Sequence, residues 1–320
     1  MKLSEAICGY KITKIADGYS ENTIRGYQTH FDQLIKFTED SEISKITSEQ
    51  LIKFMYFLRI EYKPKRSGLG EKSHYKTTTL RNAWCAVHSL FKWANEELKI
   101  PRPDLDLAKP KVSYPEIAPF EEEEIRRLIT QCSKPIRSER NGTVYSRKSR
   151  TTYRDQALIL LLLDTGIRVT ECAQIRIRDI NLEDGTLFIR PVNSSRKNKS
   201  RNLRTGQTCA RAIQRYLKQR ENIFKEGPLF LTIENRPMDR RSIRLALLKI
   251  GEMANVKNVY PHRFRHTFAI QFLRNGGDVF SLQYFLGHND PTMTRHYLHL
   301  SKVDIANAHR LASPADRWDL

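Results

Sequence analysis

The chain has 320 residues, enough for two domains of ordinary size, and its 39% hydrophobic content with 14 Phe and 13 Tyr excludes a disordered polymer. Its 55 Lys and Arg against 36 Asp and Glu leave a formal charge of +19, which calls for a polyanionic partner; nucleic acid is the commonest, because neutralised phosphates release their counterions. No amphipathic anchor or lipidation motif accompanies that charge. The longest apolar run, Ala157 to Leu163, is too short to span a bilayer, and Met1-Lys2-Leu3-Ser4-Glu5 lacks an apolar signal core. Cys8, Cys85, Cys132, Cys172 and Cys209 form no Cys-x-x-Cys pair, which argues for reduced thiols and against a zinc site. A soluble cytoplasmic protein without a membrane partner is expected.

In chain order, Ser20 to about Leu98 reads as helices. Asn22-Thr23 is the expected N-cap of the first, whose Tyr27, Phe31, Leu34, Ile35 and Phe37 recur at helical spacing. Thr47-Ser48-Glu49 opens a second, with Leu51, Phe54, Met55 and Leu58 on one side. Lys63 to Ser73, polar and carrying Pro64, Gly68 and Gly70, reads as a loop. Thr77 to Leu98 returns to helix on a stripe of Leu80, Trp84, Val87, Leu90, Phe91 and Ala94, with Trp93 off the stripe. Pro101, Pro103, Pro110, Pro115 and Pro119 rule out one long helix and mark an interdomain linker.

Phe120-Glu121-Glu122-Glu123-Glu124 then starts a helix with carboxylates at the positive end of its dipole. Residues 133–150, polar and mostly basic, are expected as a loop. Tyr153 to Leu163 reads as a buried helix capped at Thr165-Gly166. Thr186 to Val192 has β character, Ser195 to Arg201 is a basic turn, and Asn202 begins a return strand. The remainder is helical, broken at Gly227-Pro228, Asn235-Arg236-Pro237, Pro261, Gly276-Gly277 and Asp290-Pro291. The expected division is a helical domain over 1–100, a linker over 101–119, an α-rich domain with a small antiparallel sheet over 120–300, and a tail over 301–320.

Four strings carry chemistry: Thr165-Gly166-Ile167-Arg168-Val169-Thr170-Glu171, His262-Arg263-Phe264-Arg265-His266, Leu286-Gly287-His288, and Tyr297. With Pro261 as first helical residue, His262, Arg265 and His266 share one helical face. Arg168 follows the Gly166 cap, with Glu171 one turn on to hold a cationic group. Asp290 as N-cap and Pro291 as first helical residue put Tyr297 about two turns into a new helix. Taken singly, a surface charge cluster, a structural salt bridge or a packing tyrosine accounts for each string. Together they supply what a metal-free attack on a phosphodiester needs: permanently charged guanidiniums, imidazoles that exchange protons near neutrality, and a hydroxyl nucleophile. No phosphate-cradling glycine loop or acidic metal cluster appears, so no cofactor and no metal are expected.

The ordered set Thr-Gly-Ile-Arg-x-x-Glu, His-Arg-Phe-Arg-His-Thr-Phe, Leu-Gly-His and Tyr resembles the catalytic signature of the tyrosine recombinase (phage integrase) family over most of residues 117–300; Ser20–Leu98 is similar in pattern to its core-DNA-binding domain. The resemblance implies a mainly α fold, with a SAM-like helical domain and an α-rich catalytic domain forming a C-shaped clamp on DNA. It implies that Arg168 and Arg265 bind the scissile phosphate, His262 is the general base, His288 supports the phosphate, Tyr297 attacks phosphorus to leave a 3′-phosphotyrosine, and Glu171 orients the site. The family takes the leaving-group proton from a lysine in a β-hairpin turn. Lys197 and Lys199 compete for that role here, Lys197 being preferred, and Arg196 falls where one register would put the lysine. Lys76, Arg81, Lys92, Arg196, Lys199 and Arg201 are the expected DNA contacts, and His266 is expected as a packed imidazole behind the site.

The implied partners are double-stranded DNA with inverted-repeat core sites, a homotetramer on that DNA, and accessory DNA-bending or directionality proteins, in a cytoplasmic, nucleoid-associated setting. With the helical domain starting near residue 20, no separate arm-site domain is expected, which suits the simpler recombinases of transposons, plasmids and chromosome-dimer resolution. The tail, with Val303, Ile305, Ala306 and Leu311, either packs on a neighbouring protomer or caps its own domain. A type IB topoisomerase and a catalytically silent DNA-binding relative are the alternatives.

Overall fold

The computed structural model describes residues 1–64, 74–112, 118–140, 143–147, 149–191, 200–220, 223–288, 294, 297 and 313. The chain separates into two compact units, Met1–Pro115 and Glu116–Leu320.

The first unit is built on α1 (Leu3–Ala16), α2 (Glu21–Phe37), α3 (Ser48–Tyr56, continued by a π turn Phe57–Glu61) and α4 (Thr77–Leu98). Helix α1 lies before the start expected from sequence, although Leu3, Ala6, Ile7 and Tyr10 carry the i, i+3, i+4, i+7 signal and all four are buried. Ser20, rather than Asn22 or Thr23, caps α2, its hydroxyl accepting from the Thr23 amide at 3.2 Å. Thr47 and Gln50 close a capping box at the start of α3. Trp93, off the α4 stripe and free from sequence either to flank it or to pack on a neighbouring element, does the latter: it is buried and meets Tyr10 of α1 edge-on at 5.8 Å between ring centroids.

Part of the proline-rich stretch is docked rather than free. Arg102 donates twice to the buried Asp104 carboxylate, at 2.7 and 2.6 Å, His88 on α4 lies 2.8 Å from the same group, and Trp84 donates to the Leu107 carbonyl at 3.1 Å. These contacts bind residues 102–107 to α4, and Leu107 joins the core of the first unit.

The second unit contains α5 (Glu122–Ser133), β1 (Ile136–Arg140), β2 (Thr143–Arg147), α6 (Thr152–Thr165), α7 (Val169–Gln174), β3 (Thr186–Ile189), β4 (Arg201–Arg204), α8 (Gln207–Leu217), α9 (Arg240–Met253), α10 (Pro261–Arg274) and α11 (Val279–Leu286). Helix α6 is its axis: Ala157, Leu158, Ile159, Leu161 and Leu162 are fully buried, and α5, α8 and α10 pack around it. Residues 133–150, expected as a loop, contain an antiparallel hairpin in register from Ile136↔Arg147 to Arg140↔Thr143. The cue is present in the sequence, since Asn141-Gly142 is a two-residue hairpin signature next to the β-favouring Thr143-Val144-Tyr145.

Strands β3 and β4 pair antiparallel, with Leu187 opposite Leu203 and Ile189 opposite Arg201. Burial alternates along both, so Leu187, Ile189, Leu203 and Arg201 share the inward face. An arginine therefore occupies a core-facing position. No helix among the described residues is long and apolar enough to cross a membrane.

Candidate active site

The Thr-Gly-Ile-Arg string is shaped by its glycine. Gly166 ends α6 in the left-handed region at φ +59°, donating to the Leu162 carbonyl at 3.1 Å, and a Cβ there would lie 2.4 Å from the Phe268 ring. The chain turns sharply, buries Ile167 and presents Arg168 as N-cap of α7. The Arg168 amide donates to Glu171 Oε2 at 2.8 Å, its Nη1 to Glu171 Oε1 at 3.2 Å, and its Nη2 to the Gly287 carbonyl at 3.1 Å. About a third of the Arg168 side chain (35%) stays exposed.

Pro261 is the first residue of α10, where a missing amide proton costs nothing. The two arginines of the next string then diverge. Arg263 faces the domain interior, paired with Glu124 at 2.7 Å and lying 3.9 Å over the Phe120 ring. Arg265, only 3% exposed, donates Nη1 to the Gly166 carbonyl at 2.8 Å and Nη2 to the Leu286 carbonyl at 2.7 Å and His288 Nε2 at 2.8 Å. Burial, with Arg168 close by, lowers its pKa to about 10, so it remains a cation at neutral pH.

His288 follows Gly287, the left-handed cap of α11 at φ +61°. A side chain on Gly287 would press on Arg201 at 3.0 Å, which accounts for the glycine of Leu-Gly-His. A guanidinium can only donate, so His288 Nε2 must accept from Arg265; Nδ1 then carries the proton and donates to Thr294 Oγ1 at 3.0 Å. Burial and the Arg265, Arg168 and Arg201 charges push the His288 pKa down to about 4. His262 keeps an exposed edge and meets His266 edge-on, with centroids 4.4 Å apart. Partial desolvation and the charges of Arg265 and Arg168 hold it below 6.5, in its proton-accepting form near neutrality.

Tyr297 is 4% exposed, its ring 5.3 Å from His266 and stacked parallel to His288 at 6.3 Å. Burial raises its pKa, while Arg265 and Arg168 pull it down. The phenol thus sits in a positive field that favours the phenolate, against a desolvation that suppresses it until a base acts.

Three consecutive carbonyls at the end of α11 organise the site. Phe285 accepts from Arg201 Nε at 2.9 Å, Leu286 from Arg265 at 2.7 Å and Gly287 from Arg168 at 3.1 Å. The last carbonyls of a helix have no partner within it and carry its negative end, so one helix terminus gathers three guanidiniums.

Arg201, expected from sequence as a DNA contact, is instead buried: its Nη1 and Nη2 grip Glu171 Oε1 and Oε2 at 2.9 and 3.0 Å. Burial pushes the Glu171 carboxyl up, but Arg201 and then Arg168 outweigh it and hold the pKa below the ordinary value. Of the other expected DNA contacts, Lys76 is exposed at the start of α4, Arg81 is half-buried and donates to the Pro110 carbonyl at 3.4 Å, and Lys92 is exposed beside Glu96 at 3.8 Å. Lys197, Arg196 and Lys199 lie outside the described residues. Thr294, which accepts from His288 Nδ1 once Arg265 has set the tautomer, is absent from the expected site, and no single-residue signal marks it. Among the described residues no His, Cys, Asp and Glu cluster fits a metal ion.

Residues 119–303 match the phage integrase family, and residues 12–100 match its N-terminal SAM-like domain. The tyrosine recombinase XerD of Staphylococcus haemolyticus is 29% identical over 312 residues, covering 95% of this chain and 96% of that protein. The tyrosine recombinase XerC of Oceanobacillus iheyensis is 28% identical over 311 residues, covering 94% and 93%. The fold is similar to that of the Tn1549 transposon integrase in complex with a circular intermediate DNA (TM-score 0.72, 18% identity, 98% of this chain and 100% of that one). It is also similar to a lambda integrase dimer bound to a core site (TM-score 0.68, 14% identity, 93% and 77%).

Proposed function

We propose, from the premise that the chain belongs to the phage integrase family and is a tyrosine site-specific recombinase, that Arg168, His262, Arg265, His288 and Tyr297 cut and rejoin duplex DNA. The Tyr297 phenol attacks a backbone phosphorus as His262 takes its proton. The bond from phosphorus to the 5′ oxygen breaks, and the products are a 3′-phosphotyrosine and a 5′-hydroxyl. Arg168 and Arg265 hold the non-bridging oxygens, His288 supports them, and Glu171 orients Arg168. The leaving 5′ oxygen takes its proton from Lys197, the preferred donor, or from Lys199; arginine at 196 is too weak an acid for that step. Attack by the 5′-hydroxyl of a partner strand reverses the chemistry and joins new ends. The phosphotyrosine ester conserves the energy of the cut linkage, so rejoining consumes no nucleotide.

What carries this reading is the gathering of Arg168 and Arg265 on one helix end, with the buried Tyr297 in their field and His262 on the same α10 face as Arg265. Exchange between two duplexes needs four active sites, hence a homotetramer on paired inverted-repeat core sites, with accessory DNA-bending or directionality proteins setting the outcome. An enzyme with this substrate works where the chromosome lies, at the nucleoid of the cytoplasm. Lys76, Arg81 and Lys92 contribute phosphate contacts from the first unit, and Arg196 and Lys199 from the second.

The test uses duplexes tiled across the DNA flanking the gene, each nicked near a candidate cleavage position so that the short 5′-ended fragment diffuses away and traps the adduct. A covalent protein–DNA band in wild type that is lost in Tyr297→Phe, with DNA affinity retained, is the expected result. An equal band in both proteins refutes the assignment.

A further inference from the structure

We propose that Arg201 is a positioning residue of this reaction: it serves as the counter-ion of Glu171, leaving the charge of Arg168 for the phosphate, and it locks the start of β4 to the active site. This role deepens the catalytic reading above and rests on it.

Arg201 occupies the inward phase of β4, opposite Ile189, where the alternation calls for an apolar side chain. Burying a guanidinium there is expensive unless every contact is made. The contacts are made: both oxygens of Glu171 at 2.9 and 3.0 Å, and the Phe285 carbonyl at 2.9 Å. The side chains of Arg201 and Glu171 are 5% and 3% exposed, so solvent does little to screen the pair.

Glu171 Oε1 is shared between two arginines, and the division is unequal. Arg201 approaches it at 2.9 Å and Arg168 at 3.2 Å. Arg201 takes the forked, two-oxygen contact, while Arg168 makes one side-chain contact and keeps a third of its surface exposed. Arg168, Arg201 and Arg265 against Glu171 leave two net positive charges around the α11 terminus, equal to the two negative charges of a pentacoordinate phosphorane dianion. Without Arg201 the net charge falls to one. Glu171, buried and stripped of its main partner, would then draw the Arg168 guanidinium onto itself and away from a substrate oxygen.

Position adds a second consequence. Arg201 is two residues beyond Lys199 and four beyond Lys197, the two candidates for the leaving-group proton. Its side chain reaches α7 through Glu171 and the α11 terminus through Phe285, so the end of the segment bearing those lysines is tied to the arginines that bind the phosphate.

The experiment measures single-turnover adduct formation and DNA affinity for the full-length protein on the nicked duplex that gives most wild-type adduct. Thermal melting runs in parallel. Arg201→Met is expected to cleave roughly 10²-fold more slowly, the scale of a misplaced catalytic group, with affinity within about threefold of wild type. Adding Glu171→Gln to Arg201→Met removes the stranded charge and is expected to recover about tenfold in rate, which repair of packing alone would not produce. Should Arg201→Met fail to melt cooperatively, Arg201→Lys decides: it keeps the charge, loses the fork, and is expected to cleave slowly while folded. Cleavage within about threefold of wild type in the folded variant, or no recovery from Glu171→Gln, overturns the proposal. A loss confined to DNA affinity overturns it too, returning Arg201 to the DNA contacts. These outcomes leave the catalytic reading intact, whereas absence of any Tyr297-dependent adduct in wild type removes both.

Discussion

Lowering the pH should loosen the active site through His288 before it unfolds the rest of the second unit. In the native state Nε2 accepts from Arg265 at 2.8 Å, so protonation would abolish that hydrogen bond and set two cations against each other. The native pKa of about 4 against the ordinary 6.5 means that, between those values, the unfolded chain binds a proton the native site refuses. Stability is unaffected above about pH 6.5 and falls progressively as the pH drops toward 4; about two and a half pKa units correspond to about 3 kcal/mol, or roughly a 10²-fold loss of protection. His288→Gln retains an acceptor for Arg265 and a donor for Thr294 but does not titrate, so the difference between the two proteins isolates this group from the carboxylates. Amide exchange of peptides covering residues 261–288, corrected for the intrinsic effect of pH, is the assay. Wild type should lose about 10²-fold more protection than His288→Gln between pH 6.5 and 4. Parallel curves would refute a neutral His288 bonded to Arg265.

Other substitutions test the remaining parts of the account. Arg168→Lys should bind DNA yet form adduct about 10²- to 10³-fold more slowly, because the single nitrogen of an ammonium cannot reproduce the fork by which Arg168 reaches Glu171 through Nη1 and the Gly287 carbonyl through Nη2; a near wild-type single-turnover rate would remove Arg168 from the site. Lys197→Ala should lose roughly 10²-fold or more in cleavage and regain it on a duplex whose scissile 5′ oxygen is replaced by sulfur, a leaving group that needs no proton. Rescue of Lys199→Ala instead would move the role to Lys199. Gly166→Ala should destabilise by about 2–4 kcal/mol, since the new methyl meets the Phe268 ring in a left-handed backbone; an unchanged melting temperature would contradict the turn described at the end of α6.

Helices α2 and α4 are legible from the periodicity of their apolar stripes and α6 from its continuous apolar run, and Gly166 and Pro261 announce the turns that present Arg168 and Arg265. Helix α1 carries an equally clear stripe in Leu3, Ala6, Ile7 and Tyr10, but the first strong cap signal comes later and draws the expected start toward Ser20. The hairpin over Ile136–Arg147 is hidden by charge: its strands carry enough arginine and serine to read as a solvated loop. The role of Arg201 is hidden more deeply. Beside Lys197 and Lys199 it looks like one more cation of a basic turn, and only the fold brings Glu171, thirty positions earlier, against it. The gathering of three arginines on the α11 carbonyls has no signature at all in side-chain sequence, because its acceptors are backbone atoms common to every residue.

The most direct test of the central claim is to map the covalent bond itself. Adduct formed on the nicked duplex is digested with nuclease and protease, and the modified peptide is sequenced by mass spectrometry. A nucleotide joined through its 3′ phosphate to Tyr297, with a free 5′-hydroxyl on the released strand, is the predicted result. Attachment to another side chain, or through a 5′ phosphate, would contradict the account.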